Sequence, residues 1–494
     1  MNALDFIPLL PWIVIGVCVG ISIGAIPGLT GAMVIALTLP LTFSMAEDAA
    51  LALLVSLYTG SVSGGLISAT LLKIPGTPAA VITTLDGYPM ASGGKPGKAL
   101  GLGIGASFVG GIFSGIALWI LARPVAEWST KLSTFDLFAL VLAAMVFIVF
   151  VSDPGWKGFW KSLFSGMAGC LLALPGMHPA TGQLRFTFGF EAMNDGFKLL
   201  PVLIGLFAFS QAVIDLSARN KTGLQNGSSD NAVGDRILQP FGLWWKQAIN
   251  LIRSSFIGTF IGILPGIGAN IGSTVAYGAA RNLSKTPEEF GKGSEEGIVA
   301  SESANNATVG GALIPLVSLG IPGSVIDAIL LGAFVIHGLQ PGPLLFKNHP
   351  GTVTAIIGSY LIANVVMLVA MLTTAKKVTL LSRVSKTKLA PIIIVFCVIG
   401  CYALANRPFD IWVMVAFGFL GIVFQSLKIP LAPFVIGFVL APIAEENLNA
   451  GLMASGGSYA PLFSRPFPLI CLAITVVLLI LSIRQNKKAP LTSA

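Results

Sequence analysis

In SESANNATVGG, Asn305 and Asn306 stand side by side, with Glu302 just before them and Thr308 just after. Two adjacent amides in an apolar neighbourhood each need several hydrogen-bond partners, so the pair marks a site more firmly than scattered hydroxyls do. Ser301, Ser303 and Thr308 surround it and precede a break at Pro322-Gly323-Ser324. A weaker counterpart lies earlier, where Thr59, Ser61, Ser63, Gly64 and Gly65 precede Pro75-Gly76-Thr77. Hydroxyl and amide oxygens beside glycine-freed backbone suit a hard cation of the sodium kind. The candidate cation ligands are therefore Ser61, Ser63, Asn305, Asn306 and Thr308. Helix N-termini exposed at such breaks attract an anion, and bare carbonyls attract a cation. The candidate substrate positions are Gly28, Ser63, Gly64, Pro75, Gly76, Thr77, Asn270, Asn306, Thr308, Pro322, Gly323 and Ser324. Taken singly, each Ser or Thr serves equally well as packing glue between helices.

Acidic residues offer a second kind of chemistry. Asp86 and Asp327 follow the two Ile-Pro-Gly elements, and an ionisable group at membrane depth is a functional candidate by default. Asp327 is the candidate proton carrier. For Asp86 the plainer reading is preferred, an exit turn made by Asp86-Gly87, and Asp327 has its own plain alternative as a helix cap. Glu295, Glu296 and Glu302 fall in KTPEEFGKGSEEGIVASES, a charged run read mostly as a solvated loop with helix-start signals. Lys73, ahead of the first break, serves either as an anion attractor or as a snorkelling side chain.

These residues sit in a chain that is 54% hydrophobic and only 10% charged, with a mean hydropathy of +0.86. That composition excludes an ordinary soluble protein and implies a polytopic all-α membrane protein of about ten to twelve spanning or half-spanning segments. Runs such as 8–26, 99–122 and 352–375 are long enough to cross. A β-barrel would alternate polar and apolar residues instead. The N-terminal run reads as an uncleaved first helix. The net charge of +8 is explained by basic residues gathered in cytoplasmic loops. On that rule the tail and 376–388 lie inside with Lys428, Lys95 and Lys98, while Glu445, Glu446, Arg407, Asp410, Lys347 and His349 lie outside. Cys18, Cys170, Cys397, Cys401 and Cys471 all occupy apolar runs without metal-ligand spacing and read as packing residues. His178, His337 and His349 are too scattered for a metal site. No phosphate-binding glycine loop occurs, since GGKPGKA lacks the hydroxyl after its lysine. No cofactor is expected beyond a coupling Na+ or H+.

One duplication organises the chain. Gly20-Ile-Ser-Ile-Gly24-Ala-Ile-Pro27-Gly28 matches Gly258-Thr-Phe-Ile-Gly262-Ile-Leu-Pro265-Gly266, and the Ile-Pro-Gly elements at 74–76 and 321–323 follow in the same order. This gives a first membrane repeat over 1–216, a polar linker over 217–244 and a second repeat over 245–494. The charge assignments make the repeats inverted, the usual build of secondary transporters, with the site at mid-membrane where the halves meet. KIPGTPAAVITTLDGYP and GIPGSVIDAILLGAFVIHGLQPGP then read as the tips and return limbs of two matched hairpins.

The stretches GAIPGLTGAMVIALTLPLTF, LLKIPGTPAAVITTLDGYPMA, GILPGIGANIGSTVAYG, SESANNATVGGALIPLVSLGIPGS and HGLQPGP closely resemble the large membrane subunit of the tripartite tricarboxylate transporters. The resemblance spans nearly the whole chain. It implies a bacterial inner-membrane secondary transporter that takes organic acids from a periplasmic binding protein, works with a smaller membrane subunit, and is driven by sodium or protons. It also implies kinship with the ion-transporter superfamily, whose transport domains move as elevators. Asn305, Asn306 and Thr308 resemble that superfamily's Ser-Asn-Thr-type hairpin tips, with Ser61, Ser63 and Gly64 as the weaker counterpart. The competing reading is an intramembrane enzyme using Asp86 or Asp327, which would need catalytic groups within hydrogen-bond reach of each other; a channel is a third.

Overall fold

The computed structural model describes residues 3–26, 29–153, 155–178, 181–217, 246–265, 268–381 and 386–485. In the first half the helices are α1 (Leu10–Gly24), α2 (Gly31–Thr38), α3 (Glu47–Leu72), α4 (Thr84–Ser92), α5 (Pro96–Ser129), α6 (Thr134–Ser152), α7 (Trp156–Leu172) and α8 (Leu199–Ser217), the last with a π-helical middle. In the second half they are α9 (Ala248–Ile263), α10 (Gly268–Leu283), α11 (Glu295–Leu319), α12 (Val325–Ile336), α13 (Pro350–Leu381), α14 (Lys386–Ala405), α15 (Pro408–Ser426), α16 (Leu431–Ala454) and α17 (Pro466–Gln485). The one departure from an all-α structure among the described residues is a short antiparallel ladder pairing Gly176–Met177 with Leu184–Arg185. Among the described residues eight helices are long and apolar enough to span a membrane and five shorter apolar helices accompany them, against the ten to twelve segments expected in all. The chain is a multi-pass membrane protein. Apart from Ser217, the polar linker 217–244 lies outside the described residues.

Two helices form the axis of the molecule. α3 is buried throughout its apolar window, and in α11 every residue from Gly297 to Ser318 is buried. Their ends are set by sequence. Glu47 and Asp48 occupy the first turn of α3, where the helix dipole favours negative charge, and Lys73 closes it in a left-handed conformation at φ 56°. Ser294 caps α11 by accepting from the Gly297 N–H, and Gly320 ends it at φ 70°, the conformation glycine adopts without a Cβ penalty.

Each axis helix carries a broken hairpin. α1 packs parallel to α3, with Gly16 against Leu53, Gly20 against Leu57 and Gly24 against Ser61. The chain then breaks, and α2 starts at Thr30, whose side chain caps Met33 N–H. It runs back toward the start of α3, so that Thr42 in the following turn reaches His337. The second half repeats this: Gly258 packs against Ala304 and Gly262 against Thr308 along α11, after which α10 returns, with Gly272 against Thr308 and Ser273 donating to Ser301 O. Small residues at these crossings let backbones approach without a hydrophobic driving force. The hairpins therefore turn at the first motif of each repeat, between α1 and α2 and between α9 and α10, and not at the Ile-Pro-Gly elements as the sequence suggested. Those elements instead follow the ends of α3 and α11.

α3 and α11 run antiparallel. Tyr58 meets Ser324 beyond the end of α11, Ser63 meets Asn306 at mid-length, and Thr83 beyond the end of α3 meets Ser301. Around them the remaining helices exchange partners: α5 packs chiefly on α11, and α13 on α3. A second group, α6, α7, α8 and α14 to α17, packs mainly among itself, with α16 on α6 and α7, and α15 on the π segment of α8. α12 touches both groups.

Asp86 fastens the halves. It is fully buried in the first turn of α4, not in an exit turn, and its Oδ1 accepts from the backbone N–H groups of Gly291 (2.8 Å), Gly293 (2.9 Å) and Ser294 (2.8 Å). Its Oδ2 accepts from Tyr277 Oη at 2.8 Å. Glu445 is likewise not in a loop: it lies within α16, held by both terminal nitrogens of Arg185 at 2.5 Å. Lys73 is exposed and lies over the Tyr88 ring, 5.5 Å from its centroid.

Two stability predictions follow from this packing. Gly262→Val should be destabilised by roughly 1–3 kcal/mol through overpacking against Thr308 O, whereas Gly278→Ala, with nothing within 4 Å, should be neutral; thermal midpoints in detergent compare them. Asp86→Ala strands three backbone donors and should cost about 3 kcal/mol or more, read as a lower midpoint and faster proteolysis of 284–294.

Candidate functional site

Both Ile-Pro-Gly segments fold back along the helices they terminate. Thr77 lies against Gly65, and Gly76 is so close to Gly24 that a methyl group there would collide with the Gly24 carbonyl oxygen. In the second half a methyl on Gly323 would stand 3.0 Å from Gly262 O. Gly24 and Gly262 are the last turns of α1 and α9, just before the hairpin tips. Each hairpin tip thus meets the break of its own repeat, and both meetings occur midway along an axis helix, at Ser61 and Thr308. This is the arrangement in which unwound backbone and helix ends are presented at membrane depth without exposing them to lipid.

The predicted residues divide among three places. At the first tip stand Gly76, Thr77 and Ser61; Ser61 touches Gly31 and donates to Tyr58 O at 2.9 Å, while the buried Thr77 Oγ1 has no hydrogen-bond partner. Gly64 packs on Ile21 O, and Pro75 is half-buried beside the exposed Ile74. Gly28 falls outside the described residues. At the second tip stand Thr308, which bonds Ala304 O of its own helix at 2.8 Å, and the buried Pro322 and Gly323. Ser324 caps α12, accepting from Asp327 N–H, and meets Tyr58 Oη at 3.3 Å. Asn270 starts the return helix α10 with its side chain exposed.

Between the tips lies a bridge. Ser63 Oγ donates to Asn306 Oδ1 at 2.7 Å, and Asn306 Nδ2 donates to Glu302 O. Tyr360 Oη donates to Asn306 O and meets Ser114 Oγ at 3.0 Å. Asn306 thus links the repeats through both ends of its amide, in the middle of an unbroken helix and not at a hairpin tip. Asn305 points elsewhere. It is buried with neither amide atom in a hydrogen bond of ordinary geometry, although the Glu302 carboxylate is near enough to feel its amide.

Sequence reasoning missed Glu302. It is fully buried within α11, not part of a solvated loop; its Oε1 accepts from Thr83 Oγ1 at 2.5 Å and its Oε2 from Ser107 Oγ at 3.0 Å. The available signal was the switch from SEEG to the small-residue run VASESANNA, in which a lone glutamate cannot face lipid. Tyr58, Thr83, Ser107 and Tyr360 carried no such signal. Asp327 is buried close to Tyr58 and near enough to Ser324 to feel its hydroxyl and N–H, with neither carboxylate oxygen in a hydrogen bond of ordinary geometry. Asp86 and Asp327 lie beyond opposite ends of α11.

Residues 10–436 match the family described as "Tripartite tricarboxylate transporter TctA family". A relative from Agrobacterium vitis, printed as "Uncharacterized 52.8 kDa protein in TAR-I ttuC' 3'region", is 32% identical over 486 residues, covering 96% of this chain and 94% of its own length. Another, "Uncharacterized protein in TAR-II ttuC' 3'region" from the same organism, is 35% identical over 226 residues, 46% of this chain and 93% of the relative. No solved structure matches. With paired helix breaks meeting across a buried polar bridge and a match over most of its length, the chain belongs to the tripartite tricarboxylate transporter TctA family, a family of transporters.

Proposed function

We propose that this protein is the large membrane subunit of an ion-gradient-driven importer of carboxylates, tricarboxylate or dicarboxylate, in a bacterial inner membrane. The observation that carries the reading is the pair of hairpin tips, each set against a Pro-Gly break at mid-helix depth, at Gly24 and Gly76 and at Gly262 and Gly323. A polyanion needs backbone N–H groups and hydroxyls in place of water, and Thr77, Ser324 and the tip of α10 at Asn270 supply them. Ser61, Ser63, Asn305, Asn306 and Thr308 supply neutral oxygens for a coupling cation, and Asp327 is a proton carrier in the same role. A periplasmic binding protein delivers the substrate and a small membrane subunit completes the complex, as the family's tripartite description suggests.

The antiparallel course of α3 and α11, with hairpins entering from opposite ends, supports two inverted repeats over 1–216 and 245–494 joined by the linker 217–244. The separation of the helices into two packing groups supports an elevator motion of one past the other.

The decisive experiment is substrate uptake into proteoliposomes that hold both membrane subunits, with loaded binding protein outside, under imposed sodium or proton gradients. Uptake should require both the gradient and the binding protein; uptake independent of both overturns the reading. Asn306→Ala removes the acceptor of the Ser63 hydroxyl while Tyr360 keeps its bond to the backbone carbonyl of residue 306, and it should cut the initial rate about tenfold or more. Ser63→Ala should fall between that variant and the parent. Unchanged uptake by Asn306→Ala would remove the bridge from the mechanism.

A further inference from the structure

Glu302 is a carboxylate without a countercharge. It is fully buried, and among the described residues no lysine, arginine or histidine pairs with it. Lys98 pairs with Glu295 and Arg253 donates to Asn250, neither of them to Glu302. Taking a carboxylate out of water costs several kcal/mol unless something compensates it, and two hydroxyl donors replace only part of its hydration. The second observation is Asn305, one turn along α11, buried beside Glu302 with neither amide atom in a hydrogen bond of ordinary geometry. An orphaned buried amide in a native protein calls for an unfilled partner.

The oxygens around Glu302 come from three separate segments. Thr83 lies on the return limb after the first Pro-Gly break, Ser107 on α5, and Ser301 and Asn305 on α11, with Thr83 Oγ1 3.3 Å from Ser301 Oγ. Each hydroxyl that donates to the carboxylate keeps lone pairs free, and the Asn305 amide beside Glu302 adds a further neutral oxygen to the cluster. A proton on Glu302 would neutralise the charge but, as a single O–H donor, would meet only one oxygen of the cluster. A hard monovalent cation satisfies both the charge and the oxygens, because it takes oxygen ligands alone.

We propose that Glu302, Thr83, Ser107, Ser301 and Asn305 form a dehydrated sodium site, separate from the Ser63–Asn306 bridge and from Asp327. Because Thr83 belongs to the limb that follows the first break, occupancy of this site would hold that limb against α11. This deepens the ion-coupled reading above, and its test measures binding without transport so that the two can fail separately.

The full-length chain in nanodiscs is titrated with ²²Na+, with choline as the substituting cation, and its thermal midpoint is followed in parallel. The parent should bind saturably and gain stability with sodium but not with choline. Glu302→Gln, which keeps the shape and both hydroxyl contacts, should bind sodium about tenfold more weakly or worse, and Asn305→Leu should weaken it as well. Ser426→Ala, exposed at the end of α15 and away from the cluster, should bind as the parent does. If Glu302→Gln does not fold, Thr83→Val with Ser107→Ala removes two ligands while leaving the carboxylate in place. Parental sodium affinity in Glu302→Gln or in that double variant overturns the proposal. So does stabilisation of the parent by acid but not by sodium, which would make Glu302 a proton site.

Discussion

The hydrogen bond from Ser63 to Asn306 joins two helices that are buried almost from end to end, and the rest of the molecule is arranged around that contact. In a bilayer the surrounding hydrocarbon offers no competing partner, so a buried hydroxyl and amide either find each other or remain unsatisfied. The amide of Asn306 uses its oxygen for Ser63 and its nitrogen for Glu302 O, while its backbone carbonyl takes Tyr360. A polar centre of this kind fixes the register of α3 against α11. Once that register is set, the hairpins and the breaks that pack on each helix are placed relative to one another.

What makes the breaks tolerable is glycine at matching points of both repeats. Gly24 and Gly262 end their helices against Ser61 and Thr308, and Gly76 and Gly323 come down onto the carbonyls just exposed. A proline stops the helix and removes a donor, and the neighbouring backbone arrives close enough to shelter the acceptors left behind. Any side chain at Gly76 would push the returning segment away from Gly24, so the geometry depends on the absence of atoms as much as on their presence.

Much of this was legible from the residues. The two G-x-x-x-G-x-x-P-G motifs and the two Ile-Pro-Gly elements predicted paired breaks, and paired breaks are what the structure contains. The tip assignment failed because a Pro-Gly in an apolar run looks the same whether it turns a hairpin or ends a long helix; only the packing of Gly24 on Ser61 decides it. α11 was obscured for a related reason. Its serines, asparagines and Glu302 lower its hydropathy, so it reads as polar although it is among the most buried helices. Burial by protein and burial by lipid demand different compositions, and hydropathy sees only the second.

Three buried carboxylates show how differently the same group can be accommodated. Asp86 receives three backbone N–H groups and a tyrosine hydroxyl, enough donors to hold its charge without a cation, and this spends it wholly on joining α4 to the start of α11. Glu302 receives two hydroxyls, and Asp327 has only Ser324 beside it, with neither oxygen in a hydrogen bond of ordinary geometry. The number of fixed donors decides the role: a carboxylate fully met by the protein is structural, because any ligand would have to displace bonds already made. One that is partly met, beside an amide left unsatisfied, keeps the capacity to exchange a partner. Ranked by that measure, coupling chemistry belongs to Glu302 and Asp327, and the first aspartate after the break, the more conspicuous in sequence, belongs to the scaffold.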